Sequence, residues 1–453
     1  MEALPRKADR ARRFPADFVW GAATAAYQIE GAARSGGRGE SIWDRFSHTP
    51  GRVLNDETGD VACDHYHRYR DDVALMADLG LSAYRFSVSW PRVIPAGRGA
   101  VNPPGLGFYD RLVDELLARD IVPYVTLYHW DLPQPLEDAG GWPERATAHA
   151  FAEFAGVVAG RLGDRVRHFA TINEPHIVAD HGYRTGSHAP GRVEPDAALA
   201  AAHHLLVGHG LGVEAIRSQA PSASVGIVLN FEPKHPASHD DRDLEAAALA
   251  DRRFNRWYLD PIVARGYPDD GLRTWAWSGR EVLPGDLDVI ATPIDFLGVN
   301  YYSREIVRAP SLAPPPQRAP VERTDMGWEV FPEGLTDVLR FVASRTGDLP
   351  LFVTENGAAY EPDPTDPARD PRRVDFLRRH LEAALDGLEA GLPLRGYFVW
   401  SLLDNFEWAR GYSARFGIVH VDYATQARLV RDSGRFYSRV VETGFVDGQA
   451  ASS

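Results

Sequence analysis

Short apolar runs alternate with longer stretches of helical periodicity along this chain of 453 residues. The runs, rich in apolar or β-branched residues, lie at 18–24, 83–90, 122–130, 167–174, 224–230, 294–302, 351–356 and 396–405. Apolar residues recur every three or four positions, as in amphipathic helices, at 64–80, 108–120, 146–163, 197–219, 333–345 and 372–391. A repeated strand-then-helix order predicts a parallel sheet, because parallel neighbours need crossover connections.

The runs are apolar on both faces, as expected of a sheet that helices cover on each side. An open, doubly wound sheet is the competing architecture, but no glycine-rich dinucleotide fingerprint follows the first run. Eight strand–helix units over about 400 residues favour a single (β/α)8 TIM barrel, an α/β fold. We expect a flexible leader at 1–13, one domain over 14–445 and a flexible tail at 446–453. The proline-rich stretches 309–320 and 361–371 predict long loops on the C-terminal face.

The charge balance excludes several classes of partner. The chain carries 49 Lys and Arg against 63 Asp and Glu, a formal charge of −14, so it lacks the basic footprint for nucleic acid or an anionic membrane. No segment approaches the ~20 apolar residues of a membrane-spanning helix, and no apolar run follows the basic N-terminal residues as in a secretory signal. Cys63 is the only cysteine, which excludes an intrachain disulfide. We therefore expect a cytoplasmic enzyme.

In such a barrel the active site collects polar residues at the carboxyl ends of the strands. Two glutamates lie at those positions, Glu174 in the segment TINEP and Glu355 in VTENG. The fourth and seventh strands are three apart in a ring of eight, so the two carboxyl groups can face each other across the mouth. Glycoside cleavage needs such a pair: one acid protonates the leaving oxygen, and the other, ionised, stabilises or attacks the oxocarbenium-like centre.

The other strand ends carry side chains suited to a sugar. They are Gln28, Arg85, His129, Trp130, Asn173, Asn230, Tyr302, Trp400, Glu407 and Trp408. Indole rings offer a flat apolar face to a pyranose, and amide, imidazole and carboxylate groups supply the hydrogen bonds that its hydroxyls demand. Taken singly, Glu174 before a proline is typical of a surface carboxylate and Glu355 before Asn-Gly of a turn. The combination indicates a carbohydrate site.

Seven motifs in order make the chain resemble a family 1 glycoside hydrolase, the β-glucosidase family, from about residue 14 to residue 440. They are FVWGAATAAYQIEG, YRFSVSWPRV, TLYHWDLPQ, TINEP, VNYYS, VTENG and SLLDNFEW with the later GYSARFGIVHVDY. The resemblance implies a retaining double displacement with Glu355 as the nucleophile and Glu174 as the general acid/base. It implies no metal and no organic cofactor, because acid, base and nucleophile are all side chains.

The same resemblance implies supporting roles for neighbouring residues. The Arg85 cation and the Tyr302 hydroxyl would keep Glu355 ionised, while a neighbouring carboxylate would keep Glu174 protonated. Asn173 would hold the sugar 2-hydroxyl. The remaining contacts to the sugar are expected from Gln28, His129, Trp130, Asn230, Glu407 and Trp408, with Trp400 as the stacking floor. On the aglycone side we expect Trp328 and His176, which replaces the aromatic residue that often follows TINEP.

The expected substrates are small molecules: β-glucosides and short oligosaccharides, such as cellobiose-like disaccharides or aryl glucosides, as in cellulose degradation. Relatives that act on 6-phosphosugars carry a small hydroxyl residue where this chain has Glu407, and a carboxylate there would repel a phosphate. Two alternatives stay open, a non-catalytic sugar-binding barrel and a transglycosidase that uses the same glycosyl-enzyme. The preference among glucose, galactose and fucose, the aglycone length and the oligomeric state are open as well.

Overall fold

Eight parallel strands close into a barrel in the computed structural model, which describes residues 12–268, 275, 277–311 and 320–446. The barrel strands are β1 (Val19–Ala23), β2 (Ala83–Ser87), β3 (Val122–Tyr128), β4 (His168–Asn173), β5 (Ser224–Phe231), β7 (Phe296–Tyr301), β9 (Leu351–Asn356) and β10 (Leu394–Trp400). Each pairs with the next, and β10 closes the ring against β1. Each of the eight predicted runs overlaps one barrel strand, so the predicted (β/α)8 TIM barrel is confirmed.

Helices follow the strands and cover the outside of the barrel. The α-helices span Ala26–Ile29, Ile42–Ser47, His65–Asp78, Trp90–Val93, Pro103–Leu117, Gln134–Asp138, Arg145–Leu162, Pro175–Ile177, Pro195–Gln219, Asp241–Asp251, Trp257–Ala264, Asp286–Ile290, Glu333–Thr346, Pro371–Glu389 and Asp432–Thr443. Several open on a proline at the first turn, where its missing N–H costs nothing. Segments Leu54–Asp56 and Trp408–Arg410 are 3-10 helices, and Val178–Arg184 and Arg252–Arg256 are π-helical.

Three local features depart from a plain strand-then-helix repeat. Short strands β6 (Lys234–Pro236) and β8 (Glu305–Val307) pair outside the barrel, next to the loops after β5 and β7. A hairpin of β11 (Val419–Asp422) and β12 (Ala427–Val430) separates β10 from the last helix. The stretch 361–371 is irregular up to Asp370, as predicted for a loop.

Some of the predicted segments lie outside the described residues: most of the leader (1–11), the tail from residue 447, and 312–319 of the first proline-rich stretch. The last leader residues, Arg12 and Arg13, contact Asp386, Glu389 and the Thr443 carbonyl. No helix among the described residues combines the length and apolar composition needed to span a bilayer.

Aromatic side chains fill the barrel interior below the mouth. Tyr124 packs with ring centroids 5.0 Å from Phe398 and 5.7 Å from Phe352. Glycine makes room for these rings: a Cβ atom on Gly21 would lie 2.3 Å from the Phe398 ring. This part of the barrel is therefore a packed core.

The loop after β10 is tied to the last helix by a buried ion pair. Arg431 donates to the two Asp404 oxygens at 2.7 and 2.9 Å and to the Gly417 carbonyl at 2.6 Å. Both charged side chains have no solvent exposure, and these contacts hold the Asp404 pKa below its usual range despite burial. The pair fixes the segment that leads to Glu407 and Trp408.

Arg431→Met should lower the free energy of unfolding by about 3–5 kcal/mol, because it leaves the Asp404 charge buried without its main partner. Denaturant unfolding measures this change. Arg435→Met is the matched control, since it removes an exposed pair with Asp432, half exposed on both sides, and should cost about 0.5 kcal/mol or less. Equal losses of unfolding free energy in the two variants would show that the buried pair contributes no more than the exposed one, which would contradict the prediction.

Candidate active site

A cavity of about 460 Å³ opens at the carboxyl ends of the barrel strands. Ten of the predicted site residues line it: His129, Trp130, Glu174, Asn230, Tyr302, Trp328, Glu355, Trp400, Glu407 and Trp408. Three more, Gln28, Arg85 and Asn173, are buried and bond to lining residues. One cleft therefore unites side chains from all eight barrel strands and the segments that follow them.

Glu355 is held at the end of β9 by two donors on opposite oxygens. Arg85 Nη1 lies 2.7 Å from its Oε1, and the Tyr302 hydroxyl lies 2.7 Å from its Oε2. The glutamate side chain is 4% exposed and the arginine side chain 3%. Buried so deeply, the carboxylate depends on this cation and this hydroxyl to balance its charge. Burial and the adjacent Glu355 raise the Tyr302 pKa well above its usual value, so the hydroxyl keeps its proton and donates.

Glu174 has a contrasting environment directly after β4. Its backbone is left-handed, with φ of 49°, where the chain turns from the strand into the helix Pro175–Ile177. Asn300 Nδ2 donates to its Oε1 at 2.6 Å. Burial, then the charge of Glu355, raises the Glu174 pKa to about 8. The cavity therefore holds one carboxyl group bound to a cation and a second that keeps its proton at neutral pH.

A chain of amides connects the two carboxyl groups. Arg85 Nη2 donates to Asn173 Oδ1 at 2.6 Å, and Asn300 Nδ2 donates to the same oxygen at 3.1 Å. Asn173 Nδ2 faces His129 Nε2 at 3.2 Å; burial and Arg85 lower the His129 pKa well below its usual value, so that nitrogen accepts. Sequence reasoning missed Asn300. Strand alternation places it on the same face as Tyr302, two residues on, and that signal could have identified it.

A third carboxyl group, that of Glu407, lies on the loop after β10. Gln28 Nε2 donates to Asn405 Oδ1 and the Phe406 carbonyl, both at 2.9 Å, and lies 3.4 Å from Glu407 Oε2. Burial, then Glu355, raises the Glu407 pKa to about 8. Gln28 Oε1 is buried without a protein partner. The Gln28 Oε1 atom and the carboxyl group of Glu407 can therefore form hydrogen bonds with hydroxyl groups in the cavity.

Indole rings form the walls of the cavity. Trp408 lies 4.6 Å from Trp130 and 4.6 Å from Trp43, between ring centroids. Trp328 packs at 5.2 Å from the Tyr302 ring and forms another part of the wall. Sequence reasoning did not identify Trp43, which supports the wall from behind without lining the cavity. Flat apolar faces beside carboxyl groups suit a ring that is apolar on its faces and polar at its edge.

His176 is the one predicted site residue that the structure places apart. It does not line the cavity; its ring lies 4.2 Å from Phe254 and 5.6 Å from Tyr258. Burial lowers its pKa well below the usual value. Phe254 itself lines the cavity, as do other residues that sequence reasoning missed: Ile177, Ser187, His188, Glu232, Ser303, Met326 and Phe416. His176 therefore supports the wall from outside.

A barrel whose mouth holds two glutamates in unlike surroundings among indole rings defines a glycoside hydrolase. The family model "Glycosyl hydrolase family 1" matches residues 10–445. The chain is 45% identical to Beta-glucosidase A of Acetivibrio thermocellus, covering 95% of this chain and 98% of that protein. It is 50% identical to Thermostable beta-glucosidase B of Thermobispora bispora, covering 94% and 90%.

Solved structures agree with this result. The beta-glucosidase from Thermotoga maritima in complex with glucoimidazole superposes with a TM-score of 0.91 at 45% identity, covering 96% of this chain and 100% of that chain. The chain belongs to glycosyl hydrolase family 1, and it is an enzyme. Within the described residues, no group of three or more His, Cys, Asp or Glu side chains is arranged to hold a metal ion.

Glu355→Gln should lower the Glu174 pKa, because it removes the negative charge that opposes ionisation of the neighbouring carboxyl group. Carbon-13 NMR titration of glutamate carboxyl groups measures the shift, with the Glu174 resonance assigned through Glu174→Gln. Glu442→Gln is the control: it changes an exposed residue on the last helix and should leave the Glu174 pKa unchanged. A Glu174 pKa that does not move in Glu355→Gln would contradict the coupling.

Proposed function

We propose that this family 1 enzyme is a retaining β-glucosidase that releases terminal, non-reducing β-D-glucosyl residues from cellobiose-like disaccharides and aryl glucosides. The observation that carries the proposal is the unlike environment of the two glutamates in one cavity: Glu355 bound by Arg85 and Tyr302, Glu174 buried beside an amide. The relatives named beta-glucosidase support the choice of sugar.

In the first step Glu355 attacks the anomeric carbon while Glu174 protonates the leaving oxygen. The Arg85 and Tyr302 contacts hold the attacking carboxylate in place, so little reorganisation is needed. The bond from the anomeric carbon to the aglycone breaks, and a covalent glucosyl-enzyme forms on Glu355.

In the second step Glu174, now a carboxylate, removes a proton from water, and the water oxygen displaces Glu355 from the anomeric carbon. Each step inverts the anomeric centre, so the product keeps the β configuration. The Glu174 pKa rises again as the negative charge returns to Glu355, which makes the acid ready for the next cycle.

The sugar is bound by the groups that surround these two glutamates. We assign the 2-hydroxyl to Asn173 and the remaining hydroxyls to Gln28, His129, Glu407 and Trp408, with Trp400 as the stacking floor and Trp130 and Asn230 as further contacts. Trp328 then borders the aglycone, and His176 supports that side through Phe254. A single domain over 14–445 provides all of these groups.

Replacing Glu355 by glycine should abolish hydrolysis of an aryl β-glucoside, because the nucleophile is lost. Azide should restore turnover and yield the α-glucosyl azide, since a small anion then attacks from the face that Glu355 occupied. Glu174→Ala is the matched variant: azide should yield the β-glucosyl azide, by attack on the glucosyl-enzyme from the other face. Proton NMR of the products distinguishes the anomers. Unchanged hydrolysis by the Glu355→Gly variant would contradict the assignment of Glu355 as the nucleophile.

The pH profile should have an alkaline limb near the Glu174 pKa of about 8. The productive enzyme carries the Glu174 proton, so kcat/KM for cellobiose should fall as pH rises through that value. For 2,4-dinitrophenyl β-glucoside, whose leaving group needs no proton, the same limb should be absent or weak. Because Glu407 also has a pKa of about 8, a limb of equal size with both substrates would assign it to Glu407 and contradict the role of Glu174.

Glu407 should discriminate against phosphorylated substrates. A 6-phosphate brought beside Glu407 meets a carboxyl group that cannot balance its charge and that repels it as Glu407 ionises toward its pKa of about 8. We therefore expect kcat/KM for an aryl 6-phospho-β-glucoside to be lower than for the aryl β-glucoside by at least about a hundredfold, and the difference to grow as pH rises through that value. Glu407→Ser should bring the kcat/KM values of the phosphorylated and unphosphorylated substrates closer together. The ratio from steady-state kinetics is the test, and equal rates with both substrates in the unmodified enzyme would exclude the discrimination.

We further propose that the enzyme acts in the cytoplasm on short products of cellulose degradation. A panel of aryl β-glucosides, β-galactosides and β-fucosides, followed by cello-oligomers of increasing length, tests the sugar and chain-length preference. The ratio of hydrolysis to transfer products at high glucoside concentration measures any transglycosylation, which shares the glucosyl-enzyme. Cell fractionation with an antibody tests the location.

A further inference from the structure

The Asn300 amide is held in one orientation by contacts at both ends. Its Nδ2 lies 2.6 Å from Glu174 Oε1 and 3.1 Å from Asn173 Oδ1, and its Oδ1 accepts from the Thr354 hydroxyl at 2.7 Å. Asn173 Oδ1 in turn accepts from Arg85. Because a guanidinium has no acceptor, the Asn173 atom that faces it is the oxygen, and the Asn300 atom that faces that oxygen is the nitrogen.

This orientation determines which oxygen of Glu174 carries its proton. The amide nitrogen of Asn300 only donates, so Glu174 Oε1 must accept from it. A carboxyl proton on Oε1 would compete with the amide hydrogen, and the neutral acid is therefore more stable with its proton on Oε2. The Thr354 hydroxyl stabilises the same arrangement, because its hydrogen bond occupies the Asn300 oxygen and opposes rotation of the amide.

We propose that Thr354 and Asn300 are positioning residues that keep the acidic proton of Glu174 on Oε2, from which it passes to the leaving group. This inference rests on the proposed function. In the first step the Oε2 proton passes to the leaving oxygen as the glycosidic bond breaks and Glu355 bonds to the anomeric carbon. Oε1 keeps its hydrogen bond from Asn300, and in the second step a water proton returns to Oε2.

Loss of the Thr354 hydroxyl should misdirect this proton. Asn300 Oδ1 would then be buried without a donor, which removes one of the two contacts that oppose rotation of the amide. The other, the hydrogen bond from Asn300 Nδ2 to Asn173 Oδ1, remains, so we expect the rotated amide to be populated beside the original one. A rotated amide presents its oxygen to Glu174, which then donates its proton to Asn300 and no longer to the substrate. The neutral acid is stabilised in that arrangement, so the Glu174 pKa rises. The other charged or titratable groups that act on Glu174 or border it are unchanged: Glu355, Arg85, Glu407, Tyr302 and His129.

The test compares Thr354→Val, which keeps the shape of the side chain, with Thr354→Ser, which keeps the hydroxyl. Thr336→Val is the matched control: Thr336 is buried, donates to the Ala383 carbonyl at 2.7 Å and does not line the cavity. We expect Thr354→Val to lower kcat/KM for cellobiose about tenfold or more, and for 2,4-dinitrophenyl β-glucoside less than about threefold. In Thr354→Val the alkaline limb for cellobiose should also move to higher pH. Thr354→Ser and Thr336→Val should leave the kcat/KM values and the position of the alkaline limb unchanged.

Equal losses with the two substrates, or an alkaline limb that stays in place, would overturn the inference. If circular dichroism shows that Thr354→Val does not fold, Thr354→Ala serves the same comparison. Glu174→Ala in the same panel separates the two proposals. If it keeps its activity on cellobiose, the acid role of Glu174 fails. If kcat/KM of Glu174→Ala falls far more for cellobiose than for 2,4-dinitrophenyl β-glucoside, while Thr354→Val lowers kcat/KM equally for both substrates, the positioning role alone fails.

Discussion

The guanidinium of Arg85 is the contact on which the arrangement of the site depends. It is buried on β2 and donates to Glu355 and to Asn173. Because a guanidinium donates and never accepts, each partner must turn an oxygen toward it. That requirement fixes the Asn173 amide, which then presents its nitrogen to His129 and its oxygen to Asn300. One donor-only group thus sets the direction of the hydrogen bonds on both sides of the cavity, and burying it stabilises the enzyme only while these acceptors are in place.

Two shifts in the pairing of the barrel strands lie close to the site. The register of β7 against β9 shifts between Val299 and Asn300, and that of β4 against β5 shifts between Ala170 and Asn173. Irregular pairing of this kind redirects side chains at the end of a strand. Lower down, β3 and β4 pair in register around packed aromatic rings such as Tyr124, whereas β9 and β10 shift register between Leu394 and Gly396. The packed rings of the lower barrel therefore provide rigidity, and the two shifts close to the site help to bring the functional side chains together.

Most of the fold and much of the site could be predicted from the sequence, because alternation of strand and helix and the polar residues at strand ends are local signals. The hairpin β11–β12 was not predicted, since its strands are half exposed and mixed in composition. Nor could the sequence place His176: the chain after Glu174 passes from a short α-helix into π-helical turns, which follow no single period. Asn300 was missed because only the last polar residue of its run was considered.

The indoles around the cavity have a consequence for how the protein can be observed. Trp130, Trp400 and Trp408 line it together with Trp328, and Trp43 packs against Trp408. Indole fluorescence depends on the polarity of its surroundings, and any compound that enters must displace water from these rings. Ultraviolet emission of the unlabelled protein should therefore report occupancy directly, even for a colourless molecule that is never turned over.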